Sequence, residues 1–171
     1  MLAFEALSLE NQGVRSVLGS ISLMSCNRRL VFRLGRMGFL LELTDVVEVV
    51  DQIKNDIDPG RSDMRQGIVS ALKFRKSWIP AVDPALILDI SSTLRLQDKV
   101  AVILRGFEGN WALLVDQADE LFAAESFKPC EIPFLLKTSA TGFYSQIKLL
   151  NQEPVIVFEP ERYYGSSAVA V

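Results

Sequence analysis

The chain's 171 residues suffice for one large or two small domains with a real core. Hydrophobic residues make up 49% of it, so it should fold, and a net charge of −3 argues against nucleic acid as the main partner. Histidine is absent, which excludes Ser-His and Cys-His nucleophiles, histidine metal sites and an imidazole switch near neutral pH.

No apolar run approaches the roughly 18 residues that span a bilayer, so membrane insertion is not expected. The N-terminus lacks the charged start and apolar stretch of a signal peptide, and a cytoplasmic protein is the expectation. Cys26 and Cys130 lie far apart and match no metal spacing; in a reducing compartment they read as small apolar residues. Nothing here implies a cofactor.

Residues 1–27 scatter Leu7, Leu9, Val14, Val17, Leu18, Ile21 and Leu23 among Ser, Gly and Asn without a clean period, and read as a tail or lead-in segment. From Arg28 the pattern sharpens. Leu30–Leu34 reads as a strand, Gly35–Gly38 as a turn and Phe39–Leu43 as a second strand. Thr44 is placed to cap one helical turn over Asp45–Glu48. Residues 51–66 are polar and contain Pro59-Gly60, a loop with a short helix around Ser62–Gln66. The stretch Gly67–Pro84 then forms two strands joined at a charged corner, Arg75-Lys76. Leu72 and Phe74 alternate with Lys73 and Arg75 as in a half-buried strand, and Asp83-Pro84 ends the second strand. Ala85–Ile90 is a short apolar turn and Ser91–Gln97 a polar connector.

The second half repeats the first. Val31, Phe32 and Gly35 match Val102, Ile103 and Gly106; Phe39, Leu41, Glu48 and Val49 match Trp111, Leu113, Glu120 and Leu121. Gly67, Ser70, Leu72 and Lys73 match Gly142, Ser145, Ile147 and Lys148, and Asp83-Pro84 matches Glu159-Pro160. The shared order predicts a mainly β domain over 28–171, with two similar units at about 28–90 and 98–164. Each unit should have about five strands, close into a small barrel to hide its edges, and pack on the other.

Carboxylates cluster twice, as Glu42, Asp45 and Glu48 and as Asp116, Asp119 and Glu120. Both clusters fall on the equivalent position of the repeat, where acids favour a helix start, so a structural role is expected. No phosphate loop, dinucleotide fingerprint or nucleophile elbow is present, and no base neighbours Cys130 in sequence. The chain is therefore not expected to be an enzyme.

LVFRLGRMGFLLELTDVVEVV resembles the opening of a CheW-like domain, in which strand, glycine turn and strand lead to a V-x-E-V segment. FRKSWIPAVDP is similar to the family's L-R-G-x-x-x-P-V-x-D-L, VAVILRGFEGNWALLVDQADELF to its second-half LLVD stretch, and FKPCEIP to its P-x-P connector. The resemblance covers about residues 29–164. It implies two five-stranded barrels side by side, and a non-catalytic adaptor bridging methyl-accepting chemoreceptors and a CheA-type histidine kinase, whose regulatory domain shares the fold.

Carried over by position, Arg75 matches the arginine of L-R-G, Phe74 takes the place of its leucine, and Val46 and Glu48 match the V-x-E-V segment. Lys76 stands where the family has glycine, Lys73 where it has asparagine, and Asp58–Asp63 replaces its proline-rich loop. Arg75, Phe74, Lys76, Trp78, Val46 and Glu48 are the expected partner-binding residues. A second reading, a CheW-like module that senses a small molecule between its barrels, stays open at this point.

Overall fold

The computed structural model describes residues 27–132 and 145–164. The lead-in segment, apart from Asn27, and the repeat partner Gly142 lie outside the described residues. The strands are β1 (Arg28–Leu34), β2 (Met37–Glu42), β3 (Val46–Val50), β4 (Ile57–Asp58), β5 (Ile68–Phe74), β6 (Ser77–Val82), β7 (Val100–Gly106), β8 (Gly109–Val115), β9 (Gln117–Ala123), β10 (Phe127–Cys130), β11 (Ile147–Leu150) and β12 (Glu153–Val157). One short α-helix, α1 (Pro84–Ile87), and several 3₁₀ turns complete the described elements. The class is mainly β, as the repeat implied.

The strands form two six-stranded sheets, sheet A in the order β10-β11-β12-β2-β1-β9 and sheet B in the order β4-β5-β6-β8-β7-β3. The orders are equivalent strand for strand, but each sheet holds a hairpin from the other half. β1–β2 joins the strands of the second unit, and β7–β8 joins those of the first. The boundaries at 28–90 and 98–164 thus describe the sequence repeat, and the sheets cut across it. Six strands stand where five were expected, and neither sheet closes in hydrogen bonding among the described residues.

Connector length explains the exchange. If β3 paired with β1, as its counterpart β9 does, it would run antiparallel to β1 and therefore parallel to β2. The chain would then have to travel back along β2, whose six residues span about 20 Å. The three residues Leu43–Asp45 reach only about 11 Å. Between β8 and β9 only Asp116 is available. Each chain of strands must therefore hand over to the opposite sheet.

The exchange makes the central strands buried on both faces. Between the sheets, Leu30, Phe32, Leu34, Phe39 and Leu41 of β1 and β2 meet Val102, Leu104, Trp111, Leu113 and Val115 of β7 and β8. Alternate residues turn the other way. Ala101, Ile103, Ala112 and Leu114 join Leu72, Phe74 and Ile79 inside the curl of sheet B, while Val31 and Leu40 join Phe127, Leu150 and Val155 inside sheet A. This is why VAVIL and WALLV read as unbroken apolar runs. Phe32 stacks on Phe39 with ring centroids 5.4 Å apart, and Phe158 meets Phe32 edge-on at 5.2 Å.

The expected acidic helical turns are absent from both positions. Leu43–Asp45 is a single 3₁₀ turn with no side-chain cap, and Val46 and Glu48 lie on strand β3. Asp119 and Glu120 belong to strand β9. Four valines in Val46–Val50 favour the pleated surface over a helix, and pairing with β7 fixes it. The loop at 51–66 carries β4 and two capped 3₁₀ turns, at Pro59–Arg61 and Met64–Gln66.

The exchange has a direct test. Fragments 28–97 and 98–164, each lacking the hairpin its sheet needs, are expected to be unfolded or self-associated alone and to form a 1:1 folded complex when mixed. Far-UV circular dichroism of the mixture matching the sum of the separate fragments would contradict the topology.

Candidate functional site

β5 and β6 are joined by the two residues Arg75 and Lys76, with Phe74 facing Ser77 and Lys73 facing Trp78. Arg75 has a φ of 57°, in the left-handed region, whereas Lys76 is not among the positive-φ residues. The lysine in the glycine's place therefore makes no demand for glycine; the left-handed conformation falls on the arginine instead. At the equivalent corner of the second unit both Asn151 and Gln152 have positive φ, at 49° and 71°, as a type I′ turn requires. The two corners have diverged in backbone as well as in side chains.

Arg75 reaches across to the edge strand of the same sheet. Its Nη2 lies 3.8 Å from Oε2 of Glu48, and its guanidinium sits 4.9 Å from the Phe74 ring centroid. The pairing of β3 with β7 shifts register between Val46 and Glu48, an irregularity of the kind that re-aims side chains. Phe74 itself is buried within sheet B. It supports the arginine and offers a partner little surface. At 70% exposure, Arg75 is held loosely and its ion pair contributes about 0–1 kcal/mol.

Trp78 is 42% exposed and is tied to a different element. The guanidinium of Arg61 lies 4.6 Å from its ring centroid, and Arg61 Nε is 3.2 Å from Asp58 Oδ2. Asp58 also accepts from the Gly60 N–H at 3.0 Å, which shapes the Asp58–Asp63 segment. The structure thus brings Arg75, Phe74 and Glu48 together, places Val46 on the same edge strand, and pairs Trp78 with Arg61, which the sequence reading missed. Lys76 is exposed and has no ion pair among the described residues.

A second polar centre lies at the other end of β6, and nothing in the sequence announced it. Lys99 is almost wholly buried, with Nζ 2.8 Å from Asp83 Oδ2 and 3.2 Å from Asp116 Oδ1. These are ion pairs by distance and not well-aligned hydrogen bonds. Asp83 caps α1 by accepting from the Ala85 N–H at 3.1 Å. Asp116, the single residue between β8 and β9, accepts from the Gly35 N–H at 2.6 Å and from Ser92 Oγ at 2.7 Å. Burial pushes the Asp116 carboxyl up, but Gly35, Ser92 and Lys99 together outweigh it and hold it below the usual carboxylate value. The triad joins both exchanged hairpins, the connector and the end of β6. Its place is structural.

Beside this triad an open cleft of about 860 Å³ runs between the β1–β2 turn and the connector, lined by Arg33, Arg36, Met37, Ile90 and Leu94 among others. No group of three or more metal-ligating side chains gathers among the described residues, and none of their helices is long and apolar enough to cross a membrane.

Two sheets that trade hairpins, with a charged corner at one end of sheet B, define a mainly β scaffold. The chain matches the CheW-like domain family over residues 28–167 and belongs to it. The family consists of non-catalytic scaffolds. No curated protein matches the sequence. Among solved structures, the fold is similar to the crystal structure of the scaffolding protein TtCheW from Thermoanaerobacter tengcongensis, at 21% identity and a TM-score of 0.61, covering 78% of this chain and 88% of that one.

Proposed function

We propose that this chain is a cytoplasmic adaptor that couples methyl-accepting chemoreceptors to a CheA-type histidine kinase. Its partner-binding residues are Arg75, Lys76 and Trp78 on the hairpin and Val46 and Glu48 on the edge strand, with Phe74 as the buried support. The observation that carries the reading is the contact of Arg75 with Glu48. Two elements distant in sequence converge on one exposed, charged surface that the fold does not need for its own stability. An exposed, weakly paired arginine beside an aromatic ring is the kind of group that gains from desolvation by a partner.

The test is equilibrium binding of the purified chain to the regulatory domain of the kinase and to the cytoplasmic fragment of a receptor from the same organism. Saturable binding to both at micromolar concentrations or below is expected. Binding to neither, with a strong thermal shift from a metabolite instead, would transfer the chain to the ligand-sensing class.

A further inference from the structure

Phe107 is the most exposed large apolar residue described, at 105% of its reference surface, in the turn between β7 and β8. Turn chemistry does not call for it, since tight turns favour Gly, Asn, Asp and Ser, and no side chain among the described residues shelters it. Its position relative to the charged corner follows from register. β6 and β8 run parallel as neighbours, with Ala81 beside Ala112 and Val82 beside Leu113. Followed back to their starts, the two strands bring the Arg75–Lys76 turn and the Phe107–Glu108 turn out at the same end of sheet B. Trp78 stands one residue inside that end.

The charges around it are unevenly satisfied. Lys73 and Lys76 have no ion pair among the described residues, and Arg75 has only the long contact with Glu48. Glu108, the acid beside Phe107, lies near Tyr164, where its charge adds to burial in pushing the phenol up.

We propose that Phe107 is a second anchor of the partner surface, seated in an apolar socket of the partner that is rimmed by carboxylates facing Lys73, Lys76 and Arg75. This rests on the adaptor reading and adds to it a residue and a partner chemistry. A free-standing aromatic gains by burial in a socket, while neighbouring cations speed the encounter and orient it.

The kinase regulatory domain and the receptor fragment serve as probes against the full chain and three variants. Phe107→Ser keeps a turn-compatible residue and should leave the melting temperature unchanged, because the ring touches nothing that folds. It should weaken binding to at least one probe by about tenfold or more, and Phe107→Trp should restore it. Lys73→Glu combined with Lys76→Glu should weaken the same interaction and reverse its salt dependence, so that added salt strengthens it. Wild-type affinity in Phe107→Ser overturns the proposal while leaving the adaptor reading intact. Self-association abolished by Phe107→Ser would assign the residue to a second copy and also overturns it. Wild-type chain that binds neither probe removes both readings.

Discussion

Lys99→Met is expected to lower folding stability by about 3–5 kcal/mol, because it leaves the buried carboxylate of Asp83 and the part-buried one of Asp116 without their shared cation. At roughly 2–4 °C per kcal/mol for a chain of this size, the melting temperature should fall on the order of 10 °C. Removing all three charges together, as Asp83→Asn, Lys99→Met and Asp116→Asn, should cost less than the single change, since no orphaned charge remains and an amide oxygen still accepts at each aspartate position. The pH dependence has a definite sign. The Asp116 carboxyl is held below its ordinary value in the folded chain, so its contribution is fully present above the unfolded value. That contribution disappears as pH falls through the folded value, in the acid range below about pH 4. Urea unfolding across that range should show a shallower acid loss in Asp116→Asn than in the wild type. Equal slopes would mean that Asp116 is not the group responsible.

Arg75→Glu should reduce partner binding by about tenfold or more through repulsion at Glu48 and loss of the cation, while stability changes by under ~0.5 kcal/mol, as befits an exposed side chain. A companion change separates backbone from side chain. Because Arg75 occupies the left-handed region, Arg75→Gly should relieve strain and hold stability equal to or above wild type by up to about 1 kcal/mol. It should still lose binding. A glycine variant that binds normally would show that the turn's shape matters and the guanidinium does not. Unfolding of either variant in chemical denaturation would show instead that the corner belongs to the fold.

Much of the architecture was legible because the physics is local. Glycine at the tips of both leading hairpins, apolar runs of strand length and the acid-Pro pair each recur in the second half. Gly35 has a φ of 55° and a Cβ there would meet Ser91 O at 2.6 Å, so that glycine marks a constraint of backbone and space alike. The hairpin exchange was not legible from pattern, because an apolar strand reads the same whichever unit it pairs with. The brevity of Leu43–Asp45 carried the information, and it becomes readable only once strand directions are known. The acid clusters were misread for a related reason. Their charge suited a helix start, but the β-branched neighbours of Glu48 decided the backbone.

Of the proposed partner surface, Arg75 and Glu48 were placed together only by resemblance to the family, and the contact between them has no local signature. Arg61 was invisible because its partner Trp78 lies across a loop with no regular period. Lys99 was missed for the opposite reason. Asp83 has an ordinary reading as a cap and Asp116 as an acid at a strand end, so neither signalled that a buried cation lay between them.

The most direct measurement is kinase autophosphorylation in a reconstituted mixture of receptor, CheA-type kinase and this chain. Adding wild-type chain should raise the rate well above that of receptor and kinase alone, and Arg75→Glu should abolish the increase. A rate that is the same with and without the wild-type chain, under conditions where all three proteins are folded, would contradict the adaptor account.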